Sequence, residues 1–408
     1  MDPLPYGALM GSCFPDCEGL SGGALETTGS GGQAGATSGS GGPSTAGQGG
    51  MAVGTSGHAG AGAGGEGGDG GTAGVVAGSS GVGQGGDGGS AGQGGTVETG
   101  IVWSANETDN LGSIEALAAT ETEVYWVRNG TLFRTPVGGE AVVELASGIL
   151  SPREMLADKG QLLLAEAGKI SSCTLPDCKD LTVLVTNIKP TALAVDATSL
   201  FWIEEGTSPD FTDGTVHRCG RLGCASPTLM TPEKNEYRPG AVITREGSVF
   251  WINQGDLSAN HGLLKRLDAG GPGGKGELLA KLLQAPLCLA YQDGLLFWME
   301  EGLSAPLRFC QVSSCTPTAA LAKPSAYPIQ GVRMLRADSD GIYWVGSTIP
   351  ARPFLSSTAM QCPLPTCTEA PKLLWQKLRN PRVLATNSLF VFLGDASAGG
   401  TVYRVKKL

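Results

Sequence analysis

The chain has 408 residues, 65 of them Gly, and a formal net charge of −10. Residues 1–127 hold 13 of the 38 acidic groups and no Lys or Arg, the first being Arg128, so the remainder is close to neutral. No basic patch marks a nucleic-acid surface, and no apolar run reaches the roughly eighteen residues of a spanning helix.

Residues 1–17 read MDPLPYGALMGSCFPDC. Met10-Gly11-Ser12-Cys13 has the small-residues-before-Cys pattern of a bacterial lipobox, which makes Cys13 a lipidation candidate. A positive n-region and an apolar h-region are missing, so a truncated export signal and a disordered acidic leader both stay open. Residues 18–96 carry 34 Gly and no aromatic, Lys or Arg. Such a segment cannot bury enough apolar surface to offset its ordering entropy. It is expected to be a disordered linker with a reach of about 50 Å. Its GxGxxG-like strings follow no strand and open no helix, which argues against phosphate binding.

Residues 97–408 repeat one unit. Five copies share a core: Val124-Tyr125-Trp126-Val127, Leu200-Phe201-Trp202-Ile203, Val249-Phe250-Trp251-Ile252, Leu296-Phe297-Trp298-Met299 and Ile342-Tyr343-Trp344-Val345. Leu162-Leu163-Leu164 and Phe390-Val391-Phe392 fit the gaps as degenerate copies. The third positions are spaced 38, 38, 49, 47, 46 and 48 residues apart. Each core follows a short apolar strand, often opened by Pro, and precedes a turn, a third strand and usually a fourth. Four consecutive large apolar residues mean that both faces of the strand are covered, because alternate residues point to opposite sides. A sandwich leaves its outer faces wet; stacked propeller blades do not. The period and strand count therefore predict an all-β, seven-bladed β-propeller, with six or eight blades as alternatives. The last unit lacks a fourth strand before Leu408, and Gly100–Ser104 is the candidate to supply it and cover two exposed edges.

The Tyr/Phe-Trp pairs resemble the YWTD repeats of lipoprotein-receptor propellers and the wider TolB-like and NHL-like class. The Thr-Asp half is replaced by Val127-Arg128, Ile203-Glu204 and Val345-Gly346. With the Gly-rich linker and the Cys pairs, the chain is similar to exported bacterial propeller proteins, a resemblance that implies a fold and no activity.

Eight Cys form four C-x₄-C pairs between third and fourth strands: Cys173/Cys178, Cys219/Cys224, Cys310/Cys315 and Cys362/Cys367. Cysteines flanking a four-residue hairpin loop meet the separation a disulfide needs. Zinc is the rival, but hairpins of neighbouring blades splay apart at the rim. Disulfides are the favoured reading, and they point to an extracytoplasmic compartment. Cys288 reads as an unpaired, buried small hydrophobe.

With three His in the chain and no His cluster, catalysis has little to build on. The repeated polar feature is Glu204-Glu205, Asn253 and Glu300-Glu301, directly after the second-strand Trp; on second-to-third-strand loops these would share one face as a ligand surface. Calcium is the only cofactor this suggests, through such carboxylates and Asp210-Phe211-Thr212-Asp213. The recurring third-strand Arg134, Arg218, Arg266, Arg308 and Arg404 read as structural pairs. The expectation is a monomeric, non-catalytic propeller on a flexible tether, secreted or lipid-anchored at the cell envelope, recognising protein, peptide or glycan. A channel-mouth lyase or metal-dependent hydrolase is the alternative.

Overall fold

The computed structural model describes residues 100–104, 112–139, 141–231, 236–255, 260–271, 273–300, 307–315, 330–347, 357–364, 371–378, 380–395 and 400–408. Cys13, Cys17, Glu301 and Cys367 lie outside them.

Strands that are apolar on both sides have to be stacked between other sheets, and here they are. Blade 1 comprises Ile114–Ala119, Glu123–Arg128, Thr131–Pro136 and Val143–Ser147, paired in that order. Blade 2 runs from Glu154 to Ile188, blade 3 from Pro190 to Leu229 and blade 4 from Pro239 to Leu283, each with four strands paired in chain order. Blade 5, Pro286–Gln311, has three strands among the described residues, and blade 6, Gln330–Leu378, has four. Blade 7 comprises Pro381–Thr386, Phe390–Asp395 and Thr401–Lys406, and its fourth, outermost strand is Gly100–Ser104 from the other end of the repeat. That strand pairs antiparallel with Thr401–Lys406, Gly100 opposite Arg404 and Ser104 opposite Thr401. First strands pack against first strands around the circle, and the first strand of blade 7 meets that of blade 1.

The cores that identify the repeat are the driest part of it. Val124–Val127 and Leu200–Ile203 are completely buried, and the five core Trp head the largest buried side chains. The seams between blades hold successive apolar clusters, such as Tyr125 and Val127 of blade 1 with Leu162 and Leu164 of blade 2. In blade 7 the register places Leu393, opposite Leu384 and Tyr403, where Trp202 stands opposite Leu193 and His217 in blade 3. The degenerate copy is therefore one residue later than Phe392, since the Pro381–Asp395 pair matches Pro190–Glu204.

The seam between blades 7 and 1 is closed aromatically. Trp103 of the donated strand sits 5.4 Å from Trp126, which stacks on Phe133 at 5.7 Å. Arg128 covers the Trp103 ring at 5.2 Å, and Arg404 Nη1 donates to the Val137 carbonyl of blade 1 at 2.5 Å. Arg134 likewise reaches across a seam, to Asp177 at 3.8 Å, and Arg218 donates to the Ala269 carbonyl of blade 4. Three of the five recurring third-strand arginines are thus inter-blade ties.

Disulfides Cys173–Cys178, Cys219–Cys224 and Cys310–Cys315 close their hairpins with Cα separations of 4.9, 5.1 and 4.9 Å. Cys362 is also disulfide-bonded. The reading of Cys288 needs correction: it is buried, but it is in a disulfide and not an unpaired thiol. No helix among the described residues is long and apolar enough to cross a membrane.

Candidate functional site

Antiparallel blades divide the loops between two faces. The upper face carries the second-to-third-strand loops and the connections between blades; the lower face carries the first-to-second-strand turns and the third-to-fourth-strand hairpins.

On the upper face the acids expected to meet a ligand are engaged by the protein itself. In Trp-x-Glu the two side chains lie on the same side of the strand. Trp202 Nε1 donates to Glu204 Oε1 at 3.4 Å, and Trp298 Nε1 to Glu300 Oε1 at 3.3 Å. The residue opposite each Trp on the third strand adds a polar partner: His217 Nε2 lies 3.6 Å from Glu204, and Arg308 Nε 3.3 Å from Glu300. His217 also stacks on Trp202 at 5.0 Å. Blade 4 reaches the same arrangement by another route. Asn253 stands in the Glu position, and Glu236, from the incoming connection, accepts from Trp251 Nε1 (2.9 Å), Asn253 Nδ2 (2.7 Å) and Lys265 Nζ (2.9 Å). Glu205 accepts from Arg238 Nε at 2.8 Å. In blades 2 and 7 the equivalent Glu166 and Asp395 are buried and accept the Leu150 and Asn380 amides, each at 3.0 Å. The five predicted residues are therefore distributed over three blades. The four that are described do not converge, and among the described residues no three His, Cys, Asp or Glu side chains could hold one metal ion.

The central channel is crossed by charge. Glu154, on the first strand of blade 2, accepts the Leu193 amide of blade 3 at 2.6 Å and lies 3.6 Å from Arg336 on the first strand of blade 6. Blades 2 and 6 stand nearly opposite one another, so this pair spans the axis.

The lower face has an open cleft that the motif search missed. It is about 190 Å³ in volume and lies under blades 2, 3 and 4, lined by Asp158, Lys159, Asp196, Thr244, Arg245, Glu246 and Ser248 among others. A second groove, of about 410 Å³, continues from Glu246 and Ser248 along blade 4 to Arg266, Asp268 and Glu277. Two-residue turns place these groups. Lys159-Gly160 and Glu246-Gly247 both have positive φ (48 and 75, 49 and 71), the geometry in which Gly is favoured second and the first residue projects outward. Burial lowers the Arg245 pKa, opposed by the neighbouring Tyr291, Asp158 and Glu246. Burial, and then the Glu246 carboxylate, push the Tyr291 phenol up to about 12.

One wall of the cleft is fixed by Arg221, at the tip of the Cys219–Cys224 hairpin. Its guanidinium donates to both the Asp158 carboxylate and the Asp158 carbonyl, to Gln161 Oε1 at 3.0 Å and to the Asp196 carbonyl at 3.1 Å. The next residue, Leu222, is 89 % exposed. Its loop is closed by the Cys219–Cys224 disulfide and tied to blade 2 through Arg221. The available signal in the sequence was the repeated charged-residue-then-Gly turn between first and second strands.

No protein-family model matches the chain, and no curated protein does. Solved structures do. A chain of the mitotic checkpoint complex is similar with a TM-score of 0.53 at 10 % identity, covering 77 % of this chain and 94 % of that one. The WD40 β-propeller domain of Doa1 is similar with a TM-score of 0.51 at 11 % identity, covering 76 % of this chain and 98 % of that one. Likeness at such identities concerns the fold, a β-propeller.

Proposed function

We propose that the chain is a non-catalytic recognition propeller that binds a protein, peptide or glycan on its lower face, outside the cytoplasm. The observation that carries this reading is the cleft: charged side chains of three adjacent blades meet there, the exposed Glu246 among them, while the upper-face Glu204, Glu236 and Glu300 are engaged by Trp side chains and by His217, Lys265 and Arg308. Binding by preformed, rigid groups loses little ordering entropy. The hairpin disulfides support an oxidising compartment. The lipobox-like Cys13 supports a lipid anchor at the envelope, and the Gly-rich residues 18–96 support a spacer. Kinship with the YWTD, TolB-like and NHL-like propellers is part of the same proposal and rests on the aromatic-Trp pairs.

The full chain, cross-linked in envelope extract, is to be used to identify its ligand, and binding is then to be titrated with purified components. Glu246→Lys combined with Asp196→Lys is expected to weaken that binding at least tenfold, and Glu205→Gln on the upper face to leave it unchanged. Binding lost with the upper-face change and kept with the lower-face pair would place the ligand on the wrong side of the ring for this reading.

A further inference from the structure

The cleft and the groove of the lower face share Glu246, Gly247 and Ser248, so they form one continuous trough. It starts at the inner turns of blades 2 and 3 and crosses the strand ends of blade 4. Ser248 opens the second strand of that blade, Asp268 ends the third opposite it, and Glu277 begins the fourth opposite Arg266. At about 4.8 Å between strands, the crossing from second to fourth strand is roughly 10 Å, the length of about three extended residues.

The charges along the trough do not cancel. Arg221 is spent on Asp158. Arg266 Nε donates to Ser248 Oγ at 3.1 Å, and its Nη1 lies 3.8 Å from Glu277. Arg245 is half-buried in the field of Tyr291, Asp158 and Glu246. Lys159 is then the one lining cation that is exposed, against Asp196, Glu246 and Asp268. Asp196 is oriented by its own turn: Oδ1 accepts the Thr198 and Ser199 amides at 2.8 and 2.7 Å, and Oδ2 takes neither. Asp268 is fixed the same way, Oδ1 accepting the Gly270 amide at 2.9 Å. Glu246 stands exposed where the two halves of the trough meet. No aromatic side chain lines either half, so a sugar ring would find no flat face to stack on.

We propose that the trough takes an extended, basic segment of a partner protein, whose Lys or Arg side chains meet Asp196, Glu246 and Asp268 while its backbone crosses the strand ends of blade 4. Lys159, at the blade 2 end, repels a basic residue there and so sets the direction in which the segment lies, since like charges brought together exclude the wrong register. The inference rests on the lower-face reading and narrows it to a peptide of one charge sign. Charges at an open rim act through the rate of encounter and are weakened by salt.

The test selects random peptides displayed on phage against the full, unreduced chain, then titrates the synthesised survivors by fluorescence anisotropy at low and at physiological salt. Survivors should be rich in Lys and Arg and should bind more weakly as salt rises. Asp196→Asn, which keeps the turn-forming oxygen, Glu246→Gln and Asp268→Asn should each weaken them about two- to fivefold, the range of exposed ion pairs, and the triple variant more than about tenfold. Lys159→Gln should tighten them. Thermal melting of the variants should match that of the parent chain. Survivors that are acidic or uncharged yet are lost with Glu246→Lys and Asp196→Lys would overturn this inference and leave the lower-face reading standing, as would binding of glycans in place of peptides. Basic survivors indifferent to every lower-face change would overturn both, and a selection that enriches no peptide would overturn the inference outright.

Discussion

Glu300 on the upper face and Glu246 on the lower face are both strand-end acids of a repeat, yet they do opposite things. Glu300 is buried, two residues after Trp298 on the same side of the strand, and lies between the indole N–H and Arg308. Glu246 is exposed, the first residue of a two-residue turn with positive φ on both members. A carboxylate in register with its Trp folds back to satisfy a buried donor, which costs free energy if left unmade; the turn-tip carboxylate stays exposed, beside the Tyr291 phenol. Glu300 is thus tied within its own blade, whereas Glu246 stands exposed at the rim of the cleft.

Both faces depend on ring closure, so the largest effect expected is from deleting Gly100–Ser104. Loss of the buried Val102 and of the tilted Trp103–Trp126 contact, with a newly exposed sheet edge, should cost more than about 4 kcal/mol, the range of diagnostic losses. Thermal unfolding measured by near-UV circular dichroism should show it, and a melting temperature within a few degrees of the full chain would mean that the donated strand is dispensable. Next comes Glu236→Ala. It would strand Lys265, whose side chain is 16 % exposed, together with the Trp251 and Asn253 donors. Breaking a buried pair from one side costs roughly 3–5 kcal/mol, and chemical denaturation should find it. The lower-face turn Asp293→Asn, fully in water by comparison, should stay within roughly 0.5 kcal/mol.

The repeat, the all-β class and the strand cores were legible because four dry residues in a row, at near-constant spacing, admit few explanations. The intramolecular partners of the carboxylates were legible in principle from the strand period. Glu204 and Glu300 close their strands, so the two-residue period that buries Trp202 and Trp298 sets each carboxylate on the same side, within reach of its indole. The cleft was not legible, because Asp158, Asp196 and Glu246 come from three blades and meet only through the packing angle between sheets. Glu236 was hidden for a similar reason: it reaches the Trp251 indole from the connection ahead of its blade, where no fixed spacing marks it.

Two smaller effects sharpen the contrast between faces. Replacing Cys219 and Cys224 by Ala should remove roughly 2 kcal/mol by the loop-closure argument, and it should also loosen Leu222. Hydrogen exchange of the Gly220–Gly223 amides should rise, while the upper half of blade 3 stays protected. Uniform loosening of the whole blade would mean that the disulfide supports the sheet and not the lower-face loop.

The alkaline limb is the subtlest test. Burial, helped by Glu123 beside Tyr125 and Glu246 beside Tyr291, pushes both phenols up to about 12, against about 10 in an unfolded chain. The neutral phenol is the form favoured by folding. Its contribution is therefore complete below about pH 10, where folded and unfolded chains are both protonated. Between about 10 and 12 the unfolded chain releases protons that the folded chain keeps, so stability falls with rising pH and the contribution is gone above 12. Absorbance at the tyrosinate band should show delayed ionisation in the native protein and a midpoint near 10 in denaturant. Glu246→Gln, which removes the lower-face charge but not the burial, should bring the Tyr291 step down by part of the difference and leave Tyr125 where it was. Movement of both steps together would mean that the substitution had disturbed the ring as a whole, and that the turn acids of the lower face are not independent of the core they stand on.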